Sequence, residues 1–259
     1  MACHNLLFAV CLFATTALAD DPAWMQASAV AQATGADVLA ARGSLLAIGP
    51  HADALERALA DGATAPPPGT AADGKVLVLT DGPVESLMAM GAAIKSQQNA
   101  VAQPNPYPDI ALYLALYYNE VHRYDDALKT IAAGVALAHT PNLGLHLPKL
   151  FTERATAYAG LKRFDEALAS CEAGLTLAAA DVHDKARMQR CRGFDLTELG
   201  RLDDAESAYK ESLKLEPSNP LATRELAYVE HLKAGGHRAP TEQLNPPKQG
   251  DNAPGAKPI

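Results

Sequence analysis

One glycine-rich segment has the spacing of a phosphate-binding loop. Residues 69–76, GTAADGKV, fit the pattern G-x-x-x-x-G-K, in which backbone N–H groups and the lysine hold phosphate groups. The next residue is Val76, so the hydroxyl that would bind magnesium is missing. The segment also follows a run of prolines and precedes a predicted strand, whereas a phosphate loop follows a strand and opens a helix. We therefore predict an ordinary loop here.

Side chains that hold metals or perform catalysis are scattered along the chain. The eight histidines form neither an HExxH nor an HxxxH pair, and no GxSxG sequence occurs. We predict no metal, no cofactor and no catalytic residue. Asp81 and Glu85 flank a predicted strand–helix junction, where α/β proteins often carry functional groups. Capping of the following helix explains Asp81 equally well, and an enzyme with its site around Asp81 remains an alternative function.

Two of the four cysteines, Cys3 and Cys11, lie within the first 19 residues, and the other two are Cys171 and Cys191. The latter two could form a disulfide in an oxidising compartment. No CxxC sequence occurs, so neither a redox motif nor a zinc ribbon is predicted.

The apolar N-terminal segment resembles a secretory signal. Residues 5–19, NLLFAVCLFATTALA, end in Ala17 and Ala19 at the −3 and −1 positions of a cleavage site. The run is short for a membrane span, which needs about 20 residues. The preceding MACHN lacks Lys and Arg, which counts against this prediction. We predict a signal peptide over residues 1–19, cleavage after Ala19 and a secreted, periplasmic protein. An uncleaved segment that anchors the chain in a membrane is the alternative.

The composition favours a globular helical protein. The chain has 259 residues, 48% of them hydrophobic, 20% charged and only 5% aromatic, and alanines fill many apolar positions. The net charge of −8 disfavours binding to nucleic acids or anionic membranes.

Residues 20–105 predict a small α/β unit. KVLVLTDG, residues 75–82, has the apolar run of a buried strand, closed by Asp-Gly. SLLAIG (44–49) and NAVAQP (99–104) are the other candidate strands, and helices are predicted over 51–60 and 83–97. This alternation is typical of a βαβ arrangement with right-handed crossovers.

From residue 106 the chain repeats itself. The hexamers RYDDAL, RFDEAL and RLDDAE begin at Arg123, Arg163 and Arg201. When the three hexamers are aligned on their alanines, each has a large apolar residue nine positions before the alanine and a small residue seven positions after it. The large residues are Tyr118, Tyr158 and Leu196, and the small ones are Gly134, Gly174 and Ser212. Two antiparallel helices can approach closely at such small residues, so each unit predicts a helix–turn–helix.

These units resemble tetratricopeptide repeats. The third is nearest the family pattern, with Gly193, Leu196, Gly200, Ala205 and Tyr209 in place. The resemblance implies a mainly α solenoid of three repeats, at about 108–141, 148–181 and 186–219, with a capping helix over 220–235. His122 and Lys162 stand where the family usually has Gly. The Pro- and Gly-rich residues 237–259 are predicted to be disordered.

The resemblance also implies a binding groove, because the first helix of each repeat lines the concave face of such a solenoid. Carried onto this sequence, the family's contact positions include Tyr113, Lys149, Arg187, Arg190, Phe194, Arg224 and Tyr228. The basic members would suit an acidic peptide, or would simply form ion pairs with nearby Glu198 and Glu225.

Two further features follow from the resemblance. The carboxylate clamp of chaperone-binding members needs Asn and Lys where this chain has Leu112, Leu116, Glu153 and Cys191, so that function is not carried over. Cys171 would point into the core and Cys191 into the groove. This favours two separate cysteines, although their helices are neighbours and a disulfide remains open.

We therefore expect a secreted adaptor that binds a protein or a peptide, of which an acidic peptide is one candidate. We do not expect it to bind nucleic acid. The first alternative is the enzyme with a site around Asp81, which predicts clustered polar side chains at the ends of SLLAIG and KVLVLT. The second is a structural scaffold whose groove is filled by the chain itself, which predicts a buried groove.

Overall fold

The computed structural model describes residues 22–64, 76–138, 146–177 and 180–238. The predicted signal peptide, nearly all of the glycine-rich loop and all but the first two residues of the predicted C-terminal tail lie outside the described residues. The N-terminal elements are α1 (Ala23–Ala40), a 3₁₀ helix (Leu45–His51), α2 (Ala52–Thr64), β1 (Val76–Thr80), α3 (Pro83–Lys95) and β2 (Ala100–Pro104). The remaining elements are α4 (Tyr107–Glu120), α5 (Tyr124–Leu137), α6 (Leu147–Gly160), α7 (Phe164–Leu175), α8 (Val182–Glu198), α9 (Leu202–Leu215) and α10 (Pro220–Lys233).

Helices α4 to α9 form three helical pairs, and α10 packs on the last of them. The alanine of each hexamer is fully buried. Gly134 shows why the downstream position is small: a Cβ built there would lie 2.2 Å from Cβ of Ala111 on the facing helix. The predicted fold class, a mainly helical solenoid preceded by a small α/β unit, is confirmed. None of the helices among the described residues is long and apolar enough to cross a bilayer.

The arginine of each hexamer stabilises the start of the second helix in its pair. Arg123 lies over the ring of Tyr118, with 4.5 Å between the guanidinium carbon and the ring centroid, and donates to Asp126 at 2.7 Å. Arg163 repeats both contacts in the second pair. The acidic residues before the alanine of each hexamer lie in the first turns of α5, α7 and α9, where the positive end of the helix dipole favours them.

The N-terminal sheet has two strands. β1 and β2 are parallel and joined through α3, so the predicted strands KVLVLT and NAVAQP both form. The predicted strand SLLAIG is wrong, because this segment forms the 3₁₀ helix. A short apolar run does not by itself distinguish a strand from a helix. Here Ile48 is fully buried and Leu46 is exposed, and the segment packs against α1 and α4 instead of joining a sheet.

Helices α1 and α2 pack against each other and against α4. Ala27, Ile48 and Leu55 are fully buried in the same core as the first repeat. Tyr118 of α4 donates its hydroxyl proton to Glu56 of α2. The N-terminal helices α1 and α2 therefore cover one side of the first repeat.

Candidate binding groove

A groove of about 780 Å³ lies beside the first helices of the second and third pairs. Its wall is formed by α6 and α8, and α10 closes one side. The turns that join α4 to α5 and α6 to α7 form part of its rim. It is open, so within the described residues the chain does not fill it.

Four of the predicted contact residues line this groove, namely Arg187, Arg190, Phe194 and Arg224. The other three are not among its lining residues. Lys149 is exposed at the start of α6. Tyr113 packs against α1, where a Cβ built on Gly35 would lie 2.6 Å from its hydroxyl oxygen. Tyr228 lies on α10, the helix that also carries Arg224.

Each arginine of the groove contacts a carboxylate, as the ion-pair interpretation of the sequence predicted, although mostly with other partners. Arg187 donates to Glu153 at 2.6 Å, and Arg190 donates to Glu216 at 2.6 Å. Arg224 donates to its neighbour Glu225 at 2.8 Å. The Arg187 and Arg224 side chains remain 45% and 54% exposed, whereas that of Arg190 is 19% exposed. The side chains of Arg187 and Arg224 can therefore be reached by a ligand from solvent.

Aromatic rings provide the apolar part of the groove. Phe164 and Phe194 meet edge to face, with ring centroids 6.3 Å apart. His122 and Tyr124 stack at 5.7 Å on the rim. Such rings can pack against an apolar side chain of a bound segment.

Asp195 is a buried carboxyl group in the groove wall, only 1% exposed. Burial, with a smaller contribution from the charge of Glu198, raises the pKa of Asp195 to about 8. The group is therefore protonated at neutral pH. Glu225 is the other acidic residue that lines the groove, against Lys162 and the three arginines. The groove thus has a local excess of positive charge in a chain whose net charge is −8.

Cys171 and Cys191 form a disulfide, which joins α7 to α8 with Cα atoms 6.2 Å apart. The pairing that the sequence left open is present because these two helices pack side by side. Together with Asp195, the two sulfurs form the one group of possible metal ligands found among the described residues, with ligand atoms within 4.8 Å of one another. A disulfide sulfur is not a thiolate, so this group has no metal-binding chemistry in the oxidised state.

Asp81 belongs to a separate polar cluster at the carboxyl end of β1. The N-cap of α3 is Gly82, and the backbone N–H of Asp81 donates to Oε2 of Glu85, in the first turn of that helix, at 2.6 Å. The Asp81 carboxylate accepts from Asn105 Nδ2 at 2.7 Å, and Asn105 also donates to the carbonyl of Leu137. The polar residues predicted by the enzyme alternative are therefore present at this end, but they hydrogen-bond one another and attach the sheet to the first repeat.

Comparison with known proteins gives the family. The model of the family "Tetratricopeptide repeat" matches residues 196–219, which hold the end of α8 and all of α9. This chain contains tetratricopeptide repeats.

Curated relatives share the repeat region. RNA polymerase II-associated protein 3 of Mus musculus is 33% identical over 112 residues, which are 43% of this chain and 16% of that protein. Heat shock protein STI1 of Saccharomyces cerevisiae is 29% identical over 117 residues, which are 45% of this chain and 18% of that protein. The chain thus matches less than a fifth of the length of these relatives.

Solved structures of similar sequence include two tetratricopeptide domains. The first such domain of Spaghetti (RPAP3), bound to the HSP90 peptide SRMEEVD, is 28% identical, with a TM-score of 0.43. The match covers 49% of this chain and 96% of that domain. The first domain of human RPAP3 is 27% identical, with a TM-score of 0.44, and the match covers 50% and 94% of the two chains.

In this tetratricopeptide-repeat protein the positions of the chaperone clamp have other uses. Glu153 is buried, accepts from Asn119 Nδ2 at 3.0 Å and pairs with Arg187. Leu112 and Leu116 pack against the hydrophobic core. Cys191 is in the disulfide.

Sequence reasoning missed the contribution of the turns. His122 and Lys162 line the groove together with Tyr124 and Phe164, which begin the second helices. The family's contact positions lie on the first helix of each repeat and do not include the turns. The signal was present in the sequence, because His122 and Lys162 are side chains at positions where the family usually has none.

Proposed function

We propose that this chain is an adaptor that binds a protein or peptide segment in its groove. The observation that carries the proposal is the open groove, in which aromatic rings and partly exposed arginines lie side by side. Peptide-binding sites combine apolar pockets with a few polar groups that fix the orientation of the ligand.

The charges of the groove favour an acidic segment. The Arg187 and Arg224 side chains are partly exposed, and Asp195 is neutral at pH 7. A carboxylate of the ligand could bind either guanidinium through two parallel hydrogen bonds. Phe164 and Phe194 would pack against an apolar side chain of the same segment. We therefore expect a ligand that carries Asp or Glu next to an aromatic or aliphatic residue.

The clamp of chaperone-binding relatives is not part of this proposal. A buried Glu153 occupies one of its positions and would repel a terminal carboxylate. Binding through internal acidic side chains is therefore expected, and amidation of the peptide's C-terminus should leave its affinity nearly unchanged.

The predicted location completes the proposal. The apolar residues 5–19, with Ala17 and Ala19 at the cleavage positions, support export. The ligand would then be a periplasmic or secreted protein. Fractionation of cells, with mass measurement of the mature N-terminus, tests this separately from binding.

The experiment is a selection of short random peptides displayed on phage against the purified protein, followed by anisotropy titrations with labelled synthetic peptides. Selected sequences should be enriched in Asp or Glu beside Phe, Leu or Ile. The double variant Arg187→Glu and Arg224→Glu should lose at least about tenfold in affinity, because it opposes like charges across the interface.

A matched control reverses two arginines outside the groove. Arg123 and Arg201 are similarly exposed, form similar ion pairs and lie at the starts of α5 and α9. Arg123→Glu with Arg201→Glu makes the same change in net charge and should bind like the wild type. Equal losses in both double variants would show that only overall charge matters and would overturn the groove as the site.

A further inference from the structure

We propose that the groove contains a thiol–disulfide exchange site, in which an external thiolate attacks Cys191 and Asp195 protonates the Cys171 sulfur that leaves. This goes beyond peptide binding, because the groove would exchange a covalent bond with thiol-bearing molecules. Three observations carry it: the unequal exposure of the two sulfurs, the position of Asp195 beside them, and the opening of the site into the groove.

The two cysteines differ in access. Cys191 is partly exposed and lines the groove, whereas Cys171 is 0% exposed in the core of the second repeat. A thiolate that enters the groove can therefore approach Sγ of Cys191 but not Sγ of Cys171. Attack on one sulfur of a disulfide expels the other, so Cys171 is the leaving sulfur.

Asp195 is placed to serve the leaving sulfur. Its Oδ2 lies 3.5 Å from Sγ of Cys171 and 3.9 Å from Sγ of Cys191. A disulfide sulfur carries no proton to donate. Among the described residues, no cation forms an ion pair with this carboxyl group. Burial keeps the carboxyl protonated at neutral pH, and its proton can therefore pass to a sulfur that becomes negatively charged.

The first step balances in atoms and charge. The ligand thiolate forms a bond to Cys191 Sγ as the Cys171–Cys191 bond breaks. The Cys171 thiolate takes the proton of Asp195, which leaves a thiol and a carboxylate. A second thiolate of the ligand then attacks the ligand's own sulfur in the mixed disulfide and releases Cys191 as a thiolate. The ligand loses two electrons and the protein disulfide gains them.

The surroundings of Asp195 favour the neutral acid. Glu198 on the same helix and the disulfide to α7 face it, and Tyr209 of α9 lies close enough to feel its charge. The charge of Glu225 of α10, like that of Asp195, raises the pKa of Tyr209. Tyr158 of α6 packs against the cysteine cluster. None of these groups supplies a positive charge that would stabilise the Asp195 carboxylate.

The experiment uses glutathione as the thiol, so its outcome does not depend on the peptide proposal. The purified native protein is exposed briefly, quenched with acid and alkylated, and the modified cysteines are identified by peptide mapping. We expect glutathione on Cys191 and the alkyl group on Cys171. Glutathione on Cys171, or no reaction until urea unfolds the protein, would overturn the proposal. Either result would mean that the disulfide is only a structural cross-link.

The rate of exchange tests the role of Asp195. In Asp195→Asn the rate constant per glutathione thiolate at pH 7 should fall by at least about tenfold, because no acid protonates the leaving sulfur. In the wild type the same constant should decline as the pH rises through about 8, where Asp195 loses its proton, and in the variant it should stay flat.

A matched control removes a carboxylate that faces solvent beside the same disulfide. Glu172 follows Cys171 and pairs with Arg192 on the surface, so Glu172→Gln should react like the wild type. A wild-type rate and pH profile in Asp195→Asn would refute the proton transfer. The mapping in the native protein decides the site of attack even if that variant folds poorly.

Discussion

The concave side of the solenoid is covered at the first repeat and open at the second and third. Tyr113 of the first repeat lies under α1, whereas Cys191 at the equivalent position of the third repeat lines the groove. Glu153, the equivalent residue of the second repeat, is buried in an ion pair with Arg187. One repeat position thus has three uses, and the use depends on what packs against it. A repeat pattern fixes where a side chain lies, but its neighbours decide whether it can meet a ligand.

The largest effect should come from removing the contact that joins the covering helices to the first repeat. Tyr118→Ala should lower the free energy of unfolding by about 3–5 kcal/mol, as truncation of a buried aromatic usually does. Tyr118 is 1% exposed and its hydroxyl binds Glu56 of α2. Urea unfolding followed by circular dichroism measures the change.

The equivalent residue of the second repeat provides the comparison. Tyr158 is only partly buried, so Tyr158→Ala should cost clearly less. Equal losses would mean that α2 adds nothing to the stability of the first repeat.

An intermediate effect is expected where the two helices of a pair touch. A Cβ at Gly134 would lie 2.2 Å from Cβ of Ala111, which the helix backbone holds in place. Gly134→Ala should therefore destabilise the protein by about 1–3 kcal/mol. At Gly174 the nearest obstacle is the flexible end of Met188, at 2.8–2.9 Å, and Cβ of Phe151 follows at 3.2 Å.

Met188 can move, and alanine is favoured over glycine in a helix by about 1 kcal/mol. Gly174→Ala should hence leave the free energy of unfolding nearly unchanged. Urea unfolding of both glycine variants measures the difference. A loss at Gly174 as large as that at Gly134 would show that Met188 is as rigidly held as Ala111.

The smallest effect is expected at Lys149, which the sequence predicted in the groove. Lys149→Glu should change stability by no more than about 0.5 kcal/mol and leave the affinity for the selected peptides unchanged. The single variant Arg187→Glu makes the same kind of charge reversal inside the groove and should weaken binding. Anisotropy titrations of both variants check this, and a loss of affinity in Lys149→Glu would extend the site along α6.

The parts of the fold that depend on local, repeated spacing could be predicted. Ala127, Ala167 and Ala205 recur with small and large partners at fixed distances, so the helical pairs follow from the sequence. The 3₁₀ helix could not be predicted, because Ile48 is buried by contacts with α4, more than fifty residues along the chain.

The groove could be predicted only where it depends on the repeat spacing. The residues on the first helices of repeats two and three follow from their repeat positions. The partial burial of Tyr113 does not, since it depends on packing against α1, and no sequence pattern predicts that helix. The disulfide does not follow from the repeat positions either, because these positions direct Cys171 into the core and Cys191 into the groove.

The turns before α5 and α7 have a consequence for how this protein could change over evolution. His122 and Lys162 adopt φ values of 61° and 59°, a backbone conformation that glycine adopts without cost, as Gly200 does at 76° in the third turn. Side chains there cost roughly 1–2 kcal/mol each, yet both reach the rim of the groove. Mutations at these two codons could therefore alter which ligands are recognised while every helix, and the core that the helices enclose, stays as it is.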